Sequence, residues 1–319
     1  MSETVLVTGA AGFIGSHVCV ALASRGQRVI GLDNFDPFYP RAVKERARDA
    51  IVRAGVLFVE GDITDAGALA SLLARERPQG VIHLAAKAGV RPSIADPAGY
   101  ARANVLGTAA VQDACATQGV GRLVVASSSS VYGNATTAPF REDQDVSQPI
   151  SPYAATKRAC ELIGYTHHII TGMPTAMLRF FTVYGPRQRP DLAIAKFIAA
   201  IARGEPITLF GDGTTSRDYT FIDDIVAGVL AAYDRIPTHG YRVWNLGSDA
   251  PISLAAMVRT IERVVGRAAV IERAPMQQGD VERTWADLTR ARAELSYAPR
   301  TPFEEGVRRQ WDWWRAESR

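Results

Sequence analysis

The stretch TVLVTGAAGFIGSH, Thr4 to His17, sets Gly9, Gly12 and Gly15 between a short β-branched run and an apolar-periodic segment, Phe13 to Ser24. That order reads strand, turn, helix. Glycine suits such a turn because the backbone must bend sharply, approach a pyrophosphate closely and let the helix pack on the strand, while unpaired N–H groups at the helix N-terminus face the anion. A glycine triplet alone is weak, but Asp33 closes the next apolar run, RVIGLD, about 20 residues further on, where a ribose-binding acid belongs. A carboxylate there accepts hydrogen bonds from both ribose hydroxyls and repels a 2′-phosphate. The residue after it is Asn34 rather than an arginine, so NAD is expected over NADP. Gly9, Gly12, Gly15, Asp33 and Asn34 are thus candidate cofactor residues, and Asp62 and Ile63, just past the third apolar run, are expected to border the adenine.

The alternation continues through VLFVEGD (56–62), GVIHLAA (80–86), RLVVASS (122–128) and PTAMLRFF (174–181), separated by helical segments such as AGALASLLARE and SPYAATKRACELIGYTHHII. Unbroken apolar strands between helices argue for a parallel sheet covered on both faces. The expected class is α/β, a Rossmann-type doubly wound parallel sheet over residues 1–180. From 181 the texture changes to TVYGPRQRPD and shorter elements, which places a smaller C-terminal α/β substrate domain at 181–319, with segments around 220–248 returning to the first domain. The last stretch, FEEGVRRQWDWWRAESR, aligns Val307, Trp311 and Trp314 on one helical face, read as packing without chemistry.

Composition narrows the function classes. The 319 residues are 47% hydrophobic, enough for a large core, and 36 Lys plus Arg against 33 Asp plus Glu leave a net +3 spread without a basic stripe, so no nucleic-acid partner is expected. Cys19, Cys115 and Cys160 are widely spaced and odd in number, as suits reduced thiols in a cytoplasmic protein; neither a disulfide frame nor a metal site is implied. No basic leader precedes the first strand and no apolar run is long enough to span a bilayer, so a soluble protein without a membrane partner is expected.

The run ASSSSVYGN places four hydroxyls, Ser127 to Ser130, directly after an apolar strand, and SPYAATK follows about 20 residues later with Tyr153 and Lys157 one helical turn apart on a shared face. Ser151 and Pro152 read as the N-cap and first helical position. Each pattern alone is common. Behind a dinucleotide fingerprint they acquire a meaning. An ordinary tyrosine, with a pKa of about 10, is too weakly acidic to serve as a base at neutral pH, but a neighbouring ammonium and a cationic nicotinamide both favour the phenolate. Tyr153 is therefore a candidate proton acceptor for a sugar hydroxyl, with a serine steadying the developing oxyanion.

Together TGAAGFIG, Asp33, ASSSSVYG and SPYAATK resemble the extended short-chain dehydrogenase/reductase family, and within it the nucleotide-sugar epimerases. HLAA, the Asn104 segment, RFFTVYGPR and SRDYTFIDDI extend the resemblance in order over most of the chain. It implies Ser128, three residues before Val131, with Tyr153 and Lys157 as the catalytic trio, and adds Phe13, Ile14, Leu84, Ala85, Ala86, Lys87 and Asn104 to the cofactor contacts. It also implies a homodimer joined through two helices per subunit, with 98–116 and the Tyr153 helix as candidates.

Dehydratases of this family carry acids after the catalytic hydroxyl, and its uronate decarboxylases carry one just before Val-Tyr-Gly; here those places hold Ser129 and Ser130. The resemblance therefore implies that a 4-keto intermediate takes hydride back on its other face, which is 4-epimerisation. DNFDPFYPR and AAKAGVRPS resemble epimerases acting on UDP-glucuronate, so interconversion of UDP-glucuronate and UDP-galacturonate with bound NAD is expected. A UDP-glucose or N-acetyl 4-epimerase is the alternative, and a non-catalytic NAD-binding regulator a further one. Arg91, Thr182 and the serines Ser127, Ser128, Ser129 and Ser130 are expected near the sugar and its C6 carboxylate, and Arg189 and Arg217 at the diphosphate. Gln277 stands where glucose-type epimerases carry a second phosphate arginine, and Asp280 is a candidate for a ribose hydroxyl. His83 is read as a structural histidine.

Overall fold

A computed structural model describes residues 2–275 and 281–317. Its strands are β1 (Thr4–Thr8), β2 (Arg28–Asp33), β3 (Leu57–Glu60), β4 (Gly80–His83), β5 (Leu123–Ser128), β6 (Thr175–Phe180), β7 (Thr182–Tyr184), β8 (Pro206–Phe210), β9 (Ser216–Phe221), β10 (Tyr241–Leu246), β11 (Pro251–Ser253) and β12 (Val270–Ala274). Seven of them form one parallel sheet in the order β10-β6-β5-β4-β1-β2-β3. Every residue of β1, β5 and β6 is buried, because helices cover both faces and neither side of these strands meets water. At the edge, β3 keeps only four residues of the apolar run and exposes both ends.

Chain direction creates the crevice. From β1 the chain steps outward through β2 and β3, then returns to β4 on the other side of β1, pairing Thr8 with His83. Ligands of doubly wound sheets bind at such a switch point, beyond the carboxyl ends of the strands.

The expectation of a Rossmann-type sheet is met. Residues after 221 rejoin it: helix Ile222–Arg235 packs on helix Phe13–Ser24, and β10 pairs with β6 along its full length. The remaining strands form two small sheets, β11-β9-β7 and β12-β8, accompanied by helices Ala193–Arg203, Leu254–Val265 and Phe303–Glu317. In the last helix Val307 is buried, while the Trp311 and Trp314 rings stack at 5.3 Å and lie against the core, the packing face that the spacing predicts. Among the described residues no helix is long and apolar enough to cross a membrane.

Candidate active site

Local backbone geometry builds the first wall. Gly9 holds φ +72°, and a Cβ there would lie 2.8 Å from the Ala85 backbone nitrogen. A Cβ on Gly15 would lie 2.0 Å from the Gly9 carbonyl oxygen. Only hydrogen fits at either place. Helix Phe13–Ser24 starts after Gly12 with no side-chain cap, so its first amides are available to an anion. These features fit a dinucleotide pyrophosphate.

Asp33 closes β2 as a buried carboxylate whose Oδ2 accepts the Ala11 N–H at 3.1 Å and whose Oδ1 accepts the Phe35 N–H at 2.8 Å. Burial pushes its pKa up, against the pull of Lys44 and these two amides. Lys44, itself buried, has its pKa pushed down by desolvation while Asp33 opposes the shift, and its Nζ lies 4.7 Å from the Tyr39 ring centroid. Burial works against the Asp62 carboxylate, yet bonds from Thr64 and the Asn34 amide hold its pKa below the usual value.

One cavity of about 640 Å³ runs from this end to the proposed chemistry. Its border includes Gly9, Gly12, Phe13, Ile14, Gly15, Asp33, Asn34, Asp62, Ile63, Leu84, Ala85, Ala86 and Lys87, and at the other end Ser127, Ser128, Tyr153, Lys157, Thr182 and Arg189. Helix Pro152–Thr171 delivers the tyrosine and lysine. Its Ser151 N-cap accepts the Ala154 N–H at 3.1 Å, with Pro152 at the first helical position as the sequence predicts. The buried Lys157 donates from Nζ to the Ala126 carbonyl at 2.8 Å. Tyr153 sets its ring edge against Tyr100 at 6.2 Å. Ser128 Oγ accepts the Ser130 N–H at 3.1 Å, and Arg189 makes a two-pronged bond to Asp191 at 2.6 and 3.0 Å, its guanidinium 4.9 Å from the Phe38 ring centroid. Lys87 pairs with Asp96 at 3.1 Å.

Several expected contacts are placed differently. Asn104 is 1% exposed and lies off the cavity wall: its Oδ1 accepts the Lys87 N–H, and its amide donates to the Lys87 carbonyl and to Thr156. It ties down the loop after β4, whose Lys87 borders the cavity. Ser127 donates its hydroxyl to Glu161 at 2.6 Å, so that hydroxyl is committed to the protein interior. Ser129 and Ser130 enter the short helical turn Ser129–Tyr132 and do not border the cavity. Arg91 borders a second cavity of about 1000 Å³, with Arg217, Thr208 and Phe210, its guanidinium 5.1 Å from the Phe210 ring centroid. It therefore sides with the diphosphate candidate Arg217 and not with Ser128 and Thr182. Leu192 borders both cavities and marks where they adjoin. Gln277 and Asp280 lie outside the described residues.

His83 is buried between the hydroxyls of Thr8, at 2.7 Å from Nδ1, and Thr108, at 3.1 Å from Nε2. Burial, helped by the Lys157 cation, lowers its pKa to about 3. It is a neutral structural residue at physiological pH, as read. Lys44, Tyr39 and Glu161 escaped the sequence reading. Glu161 follows Lys157 by the same four-residue step that separates Lys157 from Tyr153, a signal available in the sequence.

Residues 5–247 match the NAD dependent epimerase/dehydratase family. The UDP-glucuronate 4-epimerase of Thermodesulfobacterium geofontis (strain OPF15) is 41% identical over 310 residues, which cover 97% of this chain and 95% of that one. UDP-glucuronate 4-epimerase 4 of Arabidopsis thaliana is 42% identical over 328 residues, covering 98% of this chain and 75% of the plant protein. Among solved structures, the UDP-glucuronic acid 4-epimerase from Bacillus cereus, in complex with UDP-glucuronic acid and NAD, superposes with a TM-score of 0.93 at 34% identity, covering 99% of this chain and 100% of that one.

Proposed function

Because the chain belongs to the NAD dependent epimerase/dehydratase family, we propose that it interconverts UDP-glucuronate and UDP-galacturonate, inverting C4 through transient oxidation with bound NAD. One observation carries the reading: Ser128, Tyr153 and Lys157 border the same cavity as the Gly9–Gly15 loop and Asp33. NAD, when bound, supplies the hydride acceptor for C4 and then the donor that restores it. The glycine loop receives the pyrophosphate and Asp33 the ribose hydroxyls. Tyr153 takes the proton of the C4 hydroxyl and later returns it, and Lys157, held by the Ala126 carbonyl, steadies the phenolate. Ser128 donates to the oxygen that becomes the C4 carbonyl.

The neutral side chains at 129 and 130 supply no acid or base for elimination. A 4-keto uronate is a β-keto acid, and a carboxylate held by Thr182, which borders the same cavity as Ser128 and Tyr153, keeps its charge localised and its carbon dioxide bound. Arg91 and Arg217 take the diphosphate in the second cavity. Residues 1–180 with 222–246 form the NAD half, and the rest of 181–319 the substrate half. Incubating the purified enzyme with UDP-glucuronate and separating the products by chromatography tests the assignment. A mixture with UDP-galacturonate is expected; turnover of UDP-glucose without turnover of UDP-glucuronate replaces the reading with a neutral-sugar epimerase.

The partner is a second copy of this chain. Leu162, Tyr165 and Ile169 lie exposed along one face of helix Pro152–Thr171, and Leu106 is exposed at the end of the segment Ala101–Leu106 that packs against that helix, apolar surface that supports a helix-to-helix homodimer. Three free, buried cysteines suit a reducing cytoplasm.

A further inference from the structure

Three elements bring the reacting groups to the cavity: β5 ends on Ser128, β6 ends on Phe180 two residues before Thr182, and helix Pro152–Thr171 presents Tyr153 and Lys157. All three meet at one carboxylate. Glu161 is 0% exposed and continues the helical face of Tyr153 and Lys157. Its Oε1 accepts the Ser127 hydroxyl at 2.6 Å and Arg179 Nε–H at 2.8 Å, while Oε2 accepts Arg179 Nη2–H and Arg158 Nη1–H, each at 2.9 Å. Ser127 and Arg179 are register partners on β5 and β6. Arg179, 2% exposed, also donates to the Tyr132 hydroxyl at 3.0 Å, and that hydroxyl donates to Asn245 Oδ1 on β10 at 2.7 Å.

We propose that Glu161 and Arg179 are positioning residues for the C4 chemistry, fixing the Tyr153–Lys157 helix against Ser128 and Thr182. The proposal rests on the uronate-epimerase reading. Stability alone does not require this arrangement, since a buried ion pair is often replaceable by apolar side chains of similar volume at no loss. What the pair adds is geometry: a two-pronged guanidinium–carboxylate bond fixes orientation as well as distance. Strand alternation then carries the constraint to the reaction, because Ser127 turned towards Glu161 sets Ser128 on the opposite face of β5. A misplacement of about 1 Å between such elements costs on the order of 100-fold in rate.

A loosened site also changes the product. When the intermediate's carboxylate is poorly held, the C5–C6 bond breaks, its electron pair enters the C4 enolate, carbon dioxide leaves and C5 takes a solvent proton. Released UDP-4-keto-pentose leaves the two electrons from C4 on the nicotinamide.

The test compares Ser127→Ala, Glu161→Gln and the double variant Glu161→Leu with Arg179→Met, each characterised by melting temperature, kcat, KM and the ratio of UDP-4-keto-pentose to UDP-galacturonate. Ser127→Ala is expected to melt with the wild type and keep its KM, while kcat falls on the order of 10-fold and the pentose share rises. The double variant is expected to fold and to lose on the order of 100-fold in kcat. A folded double variant with wild-type kcat and product ratio overturns the proposal and leaves the pair a stability element; if that variant does not fold, an unchanged Ser127→Ala overturns it instead. A wild type that does not turn over UDP-glucuronate fails the underlying reading before any variant is compared.

Discussion

At the end of the cavity proposed for the dinucleotide the wall is largely main chain: two glycines that admit no Cβ, an uncapped helix start and one carboxylate, all between residues 9 and 33. At the end proposed for the sugar the polar side chains of Ser128, Tyr153, Lys157, Thr182 and Arg189 converge from separate elements, with Glu161 and Arg179 joining the Tyr153 helix to β5 and β6 behind them. The first end is local in sequence and fails when atoms are added. The second is assembled by the tertiary fold and fails when a functional group is removed or displaced.

The largest effect expected is at the sugar end. Tyr153→Phe removes one hydroxyl and should lower kcat on the order of 10³-fold while bound NAD is retained; steady-state turnover alongside the cofactor content of the purified variant checks both. Gly15→Ala probes the other end by adding one methyl group 2.0 Å from the Gly9 carbonyl oxygen. It should strip the cofactor from the purified protein and lower stability by about 1–3 kcal/mol, measured by denaturant unfolding. If instead Gly15→Ala keeps its NAD and Tyr153→Phe loses it, the division between the two ends is wrong. A milder change is Thr182→Ala, expected to raise UDP-pentose formation several-fold by removing one carboxylate donor; an unchanged product ratio separates Thr182 from that role.

The scaffold shared by both ends gives the smallest effect at neutral pH. His83 bridges Thr8 on β1 and Thr108, and burial keeps it neutral with its pKa lowered to about 3. A histidine whose folded pKa lies below its unfolded value binds fewer protons when folded. Its contribution is therefore fully present above the unfolded pKa of about 6.5 and is lost as pH falls towards 3, at up to about 1.4 kcal/mol per pH unit. Unfolding free energies of wild type and His83→Gln between pH 7 and 5 should converge as pH falls.

The same division explains what the sequence made legible. Gly9 and Gly15 could be read because a sharp turn and a close approach admit no Cβ, Asp33 because it closes the second strand at a fixed spacing, and Tyr153 with Lys157 because helical periodicity fixes a shared face. The placement of β10 beside β6 is a tertiary pairing that puts Tyr241–Leu246 at the edge of the large sheet. Ser127 could not be told from Ser128 by pattern, since its partner Glu161 lies 34 residues away and on another element. Arg91 looked like a carboxylate ligand until the fold set it over Phe210. Lys44 reads as one more charge on the helix Arg41–Arg53, and only the folded chain brings it to Asp33. Asn104 carried a family signal whose use, tying down the loop after β4, is a tertiary fact.

The most direct measurement follows the C4 hydrogen itself. Purified enzyme is given UDP-glucuronate deuterated at C4 in ordinary water, and the UDP-galacturonate formed is examined by mass spectrometry and NMR. Retention of deuterium at C4 of the epimer is the predicted result, because the hydrogen leaves as hydride to a captive cofactor and returns to the same carbon. Product carrying solvent hydrogen at C4 would contradict the account.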